Sequence, residues 1–270
     1  MRAARLLNAA TLVLTAHGSA DPRSAANTRA VADTIRQLRP ALDVRVAFCE
    51  QNAPNLRDVL AAMAPGAAVV VPLLLADAYH ARVDIPAMIA ESGSDAYQAG
   101  VLGEDERLIH VARQRLEQAG MSRLDPRVGV IVTAVGSSRA QANNRTAAVA
   151  RELTLTTRWT ATTAFATGPQ PSPAEAAALL RSRGASRLVI APWFLAHGRI
   201  TDPRGQTCQS GVMRLCLFGD GRMYGTPTDT QATVIAHTHT AHVLDPAQRH
   251  QNRRHRQACL QRGDQRLPAT

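Results

Sequence analysis

Short, continuous apolar runs alternate along the chain with longer stretches in which apolar residues recur every three or four positions. The runs are typical of strands buried on both faces of a parallel sheet, and the longer period is typical of amphipathic helices. Through residue 120 the two patterns alternate strictly. The predicted strands are Thr11–Ala16, Asp43–Phe48, Ala67–Leu75 and Tyr97–Leu102, and the predicted helices are Arg23–Leu38, Pro54–Met63, Ile85–Ser92 and Asp105–Ala119.

The chain also repeats itself. Residues 12–19 read LVLTAHGS and residues 130–137 read VIVTAVGS, an offset of 118, while VPLLL at 71–75 returns as APWFL at 191–195, an offset of 120. The second copy predicts strands at Val128–Thr133, Thr160–Ala166 and Leu188–Pro192, with helices at Ala140–Leu153 and Pro173–Arg183. We therefore expect an α/β protein of two tandem domains, each a parallel sheet flanked by helices.

The same pattern sets the domain boundaries. Residues 10–120 form the first predicted domain, and residues 127–203 form a second, incomplete one. Residues 204–270 hold nine Arg, four Asp and no Glu, and they show neither a helical stripe nor a strand comparable to the earlier ones. We expect them to be a divergent, disordered or frameshifted tail.

Charge and composition narrow the possible partners. The formal net charge is +10, and residues 1–203 carry half of it, with 22 Arg against 17 acidic residues. This mildly basic balance favours an anionic substrate. Arginines interleaved with aromatic residues are absent, and nucleic acid is not an expected partner. No stretch of roughly 20 apolar residues is present, and Leu6–Leu14 resembles a strand more than a signal peptide. We expect a soluble, cytoplasmic protein without a membrane partner.

Three polar side chains follow the first three predicted strands. His17 ends the first strand, Glu50 follows the second by two residues, and His80 lies in the predicted loop after the third. Ligands of parallel α/β sheets bind outside the carboxyl ends of the strands, so these side chains should converge. Two imidazoles and a carboxylate suit a borderline divalent cation and can also accept protons.

The second copy lacks these groups, because Val135, Thr167 and Ile200 stand at the matching positions. A single active site in the first domain is therefore expected. His197 is a further candidate ligand from the second copy. The tail carries five histidines, which form either a metal-gathering segment or an incidental cluster; no zinc-like spacing is present, and we favour the second reading. They are His237, His239, His242, His250 and His255.

The candidate residues lie in three motifs that occur in order. They are TAHGSxDPR at 15–23, FCExxxP at 48–54, and PLLL at 72–75 followed by HxxxDIP at 80–86. Together they resemble the signatures of the sirohydrochlorin chelatases, the CbiX-type branch of the class II chelatases, whose full-length members are tandem duplications. The resemblance covers about residues 10–203. The sequence ADAY at 76–79 departs from it, since the family usually has a glycine just before the histidine.

The resemblance implies a lyase that inserts Fe²⁺ or Co²⁺ into an octacarboxylate tetrapyrrole in sirohaem or cobalamin biosynthesis. It also implies a cleft between the domains, no tightly bound cofactor, and the metal and the tetrapyrrole as partners. His17, His80 and Glu50 would bind the metal and accept protons, and which histidine does which is left open. The candidates for contacts with the substrate are Ser19, Arg23, Arg82, Arg139 and Arg199.

Two other functions compete with this one. A protein with a compromised second domain could bind a tetrapyrrole or a metal without catalysis. A hydrolase built on His17-Gly18-Ser19 is disfavoured because the chain has no Gly-x-Ser-x-Gly elbow. Iron and cobalt suit the same nitrogen and oxygen ligands, so the sequence leaves the choice of metal open.

Overall fold

The structure of the protein is a computed structural model, and its contacts divide the chain into two compact units. Within the described parts of both units, no helix is long and apolar enough to cross a membrane. The described residues are 11–63 and 68–196, with the backbone of 212–214. The first unit contains residues 11–19 and 28–101, and the second contains residues 20–27, 102–196 and 212–214.

Four parallel strands form the sheet of the first unit. The strands are β1 (Thr11–Ala16), β2 (Val44–Phe48), β3 (Ala68–Pro72) and β4 (Tyr97–Gln98), and the helices after the first three are α1 (Pro22–Leu38), α2 (Leu56–Ala61) and α3 (Ile85–Glu91). The strand order is β2-β1-β3-β4, so β1 is central and pairs with both β2 and β3.

The second unit has the same architecture. Its elements are α4 (Glu106–Gln118), β5 (Val128–Ala134), α5 (Ala140–Thr154), β6 (Thr160–Phe165), α6 (Pro173–Ser182), β7 (Arg187–Pro192) and β8 (Val212–Arg214). The strand order β6-β5-β7-β8 is again fully parallel. The predicted fold class, an α/β protein with two parallel sheets flanked by helices, is confirmed.

The continuous apolar runs form the central strands. Val13 and Leu14 in β1 and Val70 and Val71 in β3 have no exposed surface, as expected for strands covered on both faces. Fully burying a side chain of this size contributes about 1.5–3 kcal/mol, so these strands form a rigid base for the loops that follow them.

The structure corrects the predicted ends of several elements. Helix α2 begins at Leu56, two residues after the predicted Pro54, because the side chain of Asn55 accepts a hydrogen bond from the amide of Arg57 and caps the helix. Strand β3 ends at Pro72, which cannot donate to a strand ladder; the amide of Leu73 makes one further bond to the carbonyl of Thr15.

Two further predictions are corrected. His80 does not lie in a loop but begins a π-helical turn, His80–Asp84, that runs directly into α3. In the tail, where no strand was expected, Val212–Arg214 form β8 and pair with β7. The apolar pattern could not indicate this strand, because a strand of three residues is too short to show a period. The assignment of the domains themselves stays a prediction.

Candidate functional site

The carboxyl ends of β1 and β2 bring His17 and Glu50 together. Ala16 and Phe48 are the last paired residues of the two strands, and backbone hydrogen bonds continue past them, from Cys49 N to Ala16 O and from Glu50 N to His17 O at 3.0 Å. This register places the two side chains side by side, with His17 Nε2 at 3.1 Å from Glu50 Oε1.

A glycine turn makes this approach possible. Gly18 has φ of +97°, and a Cβ atom there would lie 1.7 Å from the carbonyl oxygen of Glu50. On the other side of the turn, the side-chain oxygen of Asn52 accepts a 2.7 Å hydrogen bond from the amide of Ser19, one of the predicted substrate-binding residues. The two loops are thus joined through both backbone and side-chain contacts.

Hydrogen bonding at His17 constrains where its protons lie. Nδ1 is 2.9 Å from the carbonyl oxygen of Gly18, which can only accept, so this contact requires a proton on Nδ1. Nε2 then faces the carboxylate of Glu50, a second group that only accepts when ionised. If His17 carries its only ring proton on Nδ1, the lone pair of Nε2 faces a lone pair of Glu50 Oε1. The pair is therefore built to hold a cation between Nε2 and Oε1, either a proton or a metal ion.

His80 is held by the π-helical turn. The amide of Ile85 donates to the carbonyl of His80, five residues back, and Pro86 has no N–H to lose at the junction with α3. Four residues after His80, Asp84 Oδ2 accepts a 2.6 Å hydrogen bond from His80 Nδ1. With the proton fixed on Nδ1, the Nε2 lone pair of His80 is available to a proton or a metal.

The two imidazoles are in direct contact. Their ring centroids are 4.1 Å apart and the ring planes are perpendicular, at 85°. His17 thus connects Glu50, by its hydrogen bond, with His80, by ring contact. Among the residues that the structure describes, no three His, Cys, Asp or Glu side chains form a closed cluster that could hold a metal ion. The side chains of His17 and Glu50 are 37% and 52% exposed, so the group is open to an incoming substrate.

Cys49 lies next to this group but does not share its chemistry. Burial, followed by the negative charges of Asp84 and Glu50, raises the pKa of the Cys49 thiol to about 12. A thiol that stays protonated is a poor metal ligand and a poor nucleophile. The side chains with available chemistry here are therefore the two histidines and the two carboxylates.

Two of the predicted substrate-binding arginines pair with nearby aspartates. Arg82 lies on the π-helical turn and pairs with Asp77, which raises the pKa of its guanidinium. Arg23 belongs to the second unit and forms a bidentate pair with Asp21. Arg139, also in the second unit, precedes α5 and donates its amide to Ser137 Oγ. Arg199, His197 and the tail histidines lie outside the described residues.

The second unit retains the backbone of the turn without its ionisable groups. Thr167 N donates to Val135 O at 2.9 Å, as Glu50 N does to His17 O. Gly136 has φ of +100°, and a Cβ atom there would lie 2.5 Å from Thr167 O. Val135 is 42% exposed, and the hydroxyl of Thr167 donates to the carbonyl of Val135. Ile200, the third matching position, lies outside the described residues.

Sequence reasoning assigned no role to two residues that hold the site. Asp84 belongs to the HxxxDIP motif at 80–86, and its position four residues after His80 is the spacing of side chains that meet on a helical turn. No sequence spacing pointed to Asn52, because its partner is the backbone amide of Ser19, 33 positions earlier in the chain.

The fold resembles those of solved chelatases. SirB from Bacillus subtilis with Fe³⁺ aligns with a TM-score of 0.68 at 16% identity, over 86% of this chain and 95% of that one. The structure of CbiX described as the terminal enzyme for biosynthesis of siroheme in denitrifying bacteria aligns with a TM-score of 0.61 at 22% identity, over 84% of this chain and 98% of that one. The two parallel sheets therefore define an α/β protein with the chelatase fold.

Sequence comparison identifies the family. The CbiX family profile matches residues 11–119 and 129–203. A sirohydrochlorin cobaltochelatase from Priestia megaterium is 28% identical over 200 residues, which cover 70% of this chain and 65% of that protein's length. The chain belongs to the CbiX family of sirohydrochlorin chelatases, as the three motifs predicted.

Proposed function

We propose that the protein is a sirohydrochlorin chelatase that inserts Fe²⁺ or Co²⁺ into a tetrapyrrole in sirohaem or cobalamin biosynthesis. The observation that carries the proposal is the contact of His17 with both Glu50 and His80 at the carboxyl edge of the first sheet. These residues combine metal ligands with proton acceptors in one open group, which is what metal insertion requires. The matching turn in the second unit lacks both kinds of group.

The reaction sets the number of protons that must leave. A divalent ion that enters the macrocycle replaces two pyrrole N–H protons, so the products are the metallated tetrapyrrole and two protons. His80 accepts a proton at Nε2, because its Nδ1 proton is directed to Asp84. Once that proton has passed to solvent, the same Nε2 lone pair can ligate the inserted ion. Glu50 is the second acceptor, and its position beside His17 lets the pair pass a proton to solvent.

His17 and Glu50 also fit the delivery of the metal ion. Two ligand atoms bound at about 2.0–2.1 Å to one ion lie about 2.9 Å apart at a right angle and about 3.4 Å apart at the tetrahedral angle. The observed separation of 3.1 Å between Nε2 and Oε1 falls between these values. A divalent ion can therefore lie between these two atoms, and His17 would release it to the macrocycle as the pyrrole protons depart.

Charge supports an anionic substrate. The chain carries a formal charge of +10, which favours the approach of a polycarboxylate. To bind a substrate carboxylate, Arg82 would have to leave Asp77. One ion pair would then replace another, so the number of ion pairs would not change. The proposal needs no resident cofactor, since the metal ion is a substrate, and it places the reaction in the cytoplasm.

Anaerobic visible spectroscopy tests the proposal. Purified protein is mixed with sirohydrochlorin and Co²⁺ or Fe²⁺, and the absorption change is compared with that of a protein-free mixture. A faster change to the metallated spectrum supports a chelatase and shows which metal it prefers. A shifted spectrum on binding without faster metallation would instead support the non-catalytic tetrapyrrole-binding protein. No spectral effect of any kind would contradict both.

A further inference from the structure

Tyr79 is an exposed aromatic residue directly before His80. The residue is 57% exposed, although a folded protein normally gains stability from burying a ring of this size. Of the aromatic residues that the structure describes, Tyr79 alone is exposed, while Phe48, Trp159 and Trp193 are buried. Single exposed apolar residues are common, and exposure alone gives Tyr79 no role.

Tyr79 touches the candidate site through His80. The two ring centroids are 6.0 Å apart and the ring planes meet at 85°. The ring planes of His80 and His17 also meet at 85°. His80 therefore contacts two rings, and both are nearly perpendicular to its own. The Tyr79 ring and the His80 imidazole are therefore held at right angles to each other in the first unit.

This arrangement suits a flat macrocycle. An imidazole that ligates a metal through Nε2 keeps the metal in the plane of its own ring, and it stands perpendicular to a tetrapyrrole that holds that metal at its centre. Because the Tyr79 ring is perpendicular to His80, it can lie parallel to such a macrocycle. A tetrapyrrole extends several ångströms outward from its centre, and an offset-stacked aromatic pair has centroids about 4.5–7 Å apart.

We infer that Tyr79 is a substrate-positioning residue whose ring stacks on one pyrrole unit of the tetrapyrrole while His80 faces the centre. This inference rests on the proposed function and adds a specific contact to it. Tyr79 belongs to the sequence ADAY at 76–79, which departs from the family signature. We expect Tyr79 to contribute to binding of the macrocycle and not to binding of the metal.

Two substitutions separate the ring face from the hydroxyl. In Tyr79→Ala, the Kd for metal-free sirohydrochlorin, measured by anaerobic absorption titration with a chelator present, should rise about 3- to 10-fold. The KM for the tetrapyrrole should rise by a similar factor with little change in kcat. Tyr79→Phe should stay within about twofold of the wild type. Leu38→Ala, at another exposed apolar residue (49%) in the first unit, is the matched control and should change neither value.

The affinity for Co²⁺ alone, measured by calorimetry, distinguishes a substrate contact from support of His80. It should be the same in Tyr79→Ala and the wild type. A Tyr79→Ala protein with weaker Co²⁺ binding and an unchanged tetrapyrrole Kd would overturn the inference, as would an unchanged Kd and KM, or a Tyr79→Phe protein as weak as Tyr79→Ala. A wild-type protein that does not bind sirohydrochlorin would overturn the proposed function itself.

Discussion

Glu50 and His17 are joined twice, by a backbone hydrogen bond from Glu50 N to His17 O and by the 3.1 Å approach of His17 Nε2 to Glu50 Oε1. The first contact continues the ladder between β1 and β2, so the second is fixed by the register of the sheet. Their side chains cannot separate without a change in backbone pairing or a change of rotamer. The fold thus holds a cation-binding pair in place before any substrate arrives.

Gly18 permits the double contact, and its replacement should disrupt it. In Gly18→Ala, the new Cβ would meet the backbone oxygen of Glu50 at 1.7 Å, and the residue would keep a φ that favours glycine. We expect a loss of about 2 kcal/mol or more in the free energy of unfolding, measured by urea denaturation, together with loss of metallation. Gly100→Ala is the control, since nothing lies within 4 Å of a Cβ at Gly100. Equal stability of the two variants would show that the loops do not meet as described.

Asp84 should act by orienting His80. Asp84→Asn removes the negative charge that accepts the Nδ1 proton, and it allows the amide to donate to Nδ1 and move the proton to Nε2. Affinity for Co²⁺ and the rate of metallation should each fall about 10- to 100-fold, while the circular dichroism spectrum stays unchanged. Asp33→Asn, at a surface pair with Arg36, provides the control. If Asp84→Asn retains wild-type metal affinity and rate, Asp84 does not orient His80.

The convergence of His17 and Glu50 could be predicted from the sequence because it depends on strand order alone. Two apolar runs, each followed by a polar residue, are sufficient to place both side chains at one edge of a parallel sheet. The role of Asp84 could not be predicted with the same ease. It depends on the π-helical turn His80–Asp84. This turn shows no apolar periodicity of its own, so the sequence predicted a loop there.

Long-range contacts to the backbone were also beyond the sequence. Asn52 binds an amide in another loop, and no spacing rule connects residues 33 positions apart. Strand β8 gave no signal for a related reason, because three residues are too few to show a period. The elements that could be predicted are those stabilised by many buried side chains, and the elements that could not are held by one or a few hydrogen bonds.

The second unit should not become a metal site through one substitution. Val135→His would place an imidazole at a turn with the same backbone hydrogen bond as in the first unit. Thr167, however, provides a hydroxyl where the first unit has the carboxylate of Glu50. Calorimetry with Co²⁺ should therefore give the same stoichiometry for Val135→His and for the wild type. A doubled stoichiometry would mean that one imidazole at this turn is enough, and it would remove Glu50 from the required set.

Cys49 should be unreactive in the folded protein. With a pKa raised to about 12, the thiolate fraction at pH 8 is about one in ten thousand, and the residue is buried as well. Iodoacetamide at pH 8 should label the Cys49 peptide in urea but not under native conditions, as measured by mass spectrometry. Rapid native labelling would show that the loop after β2 opens, and it would contradict a preformed pair of His17 and Glu50.

The most direct test of the account is the rate of Co²⁺ insertion into sirohydrochlorin by the wild type and by His17→Ala, measured anaerobically by visible absorption. His17 links Glu50 and His80, so its loss should lower kcat/KM by at least about 100-fold, the lower end of what one positioned acid–base group contributes. His110→Ala, at an exposed histidine of α4, should match the wild type. A folded His17→Ala protein that metallates sirohydrochlorin at the wild-type rate would contradict the central claim that this strand-end site performs the chemistry.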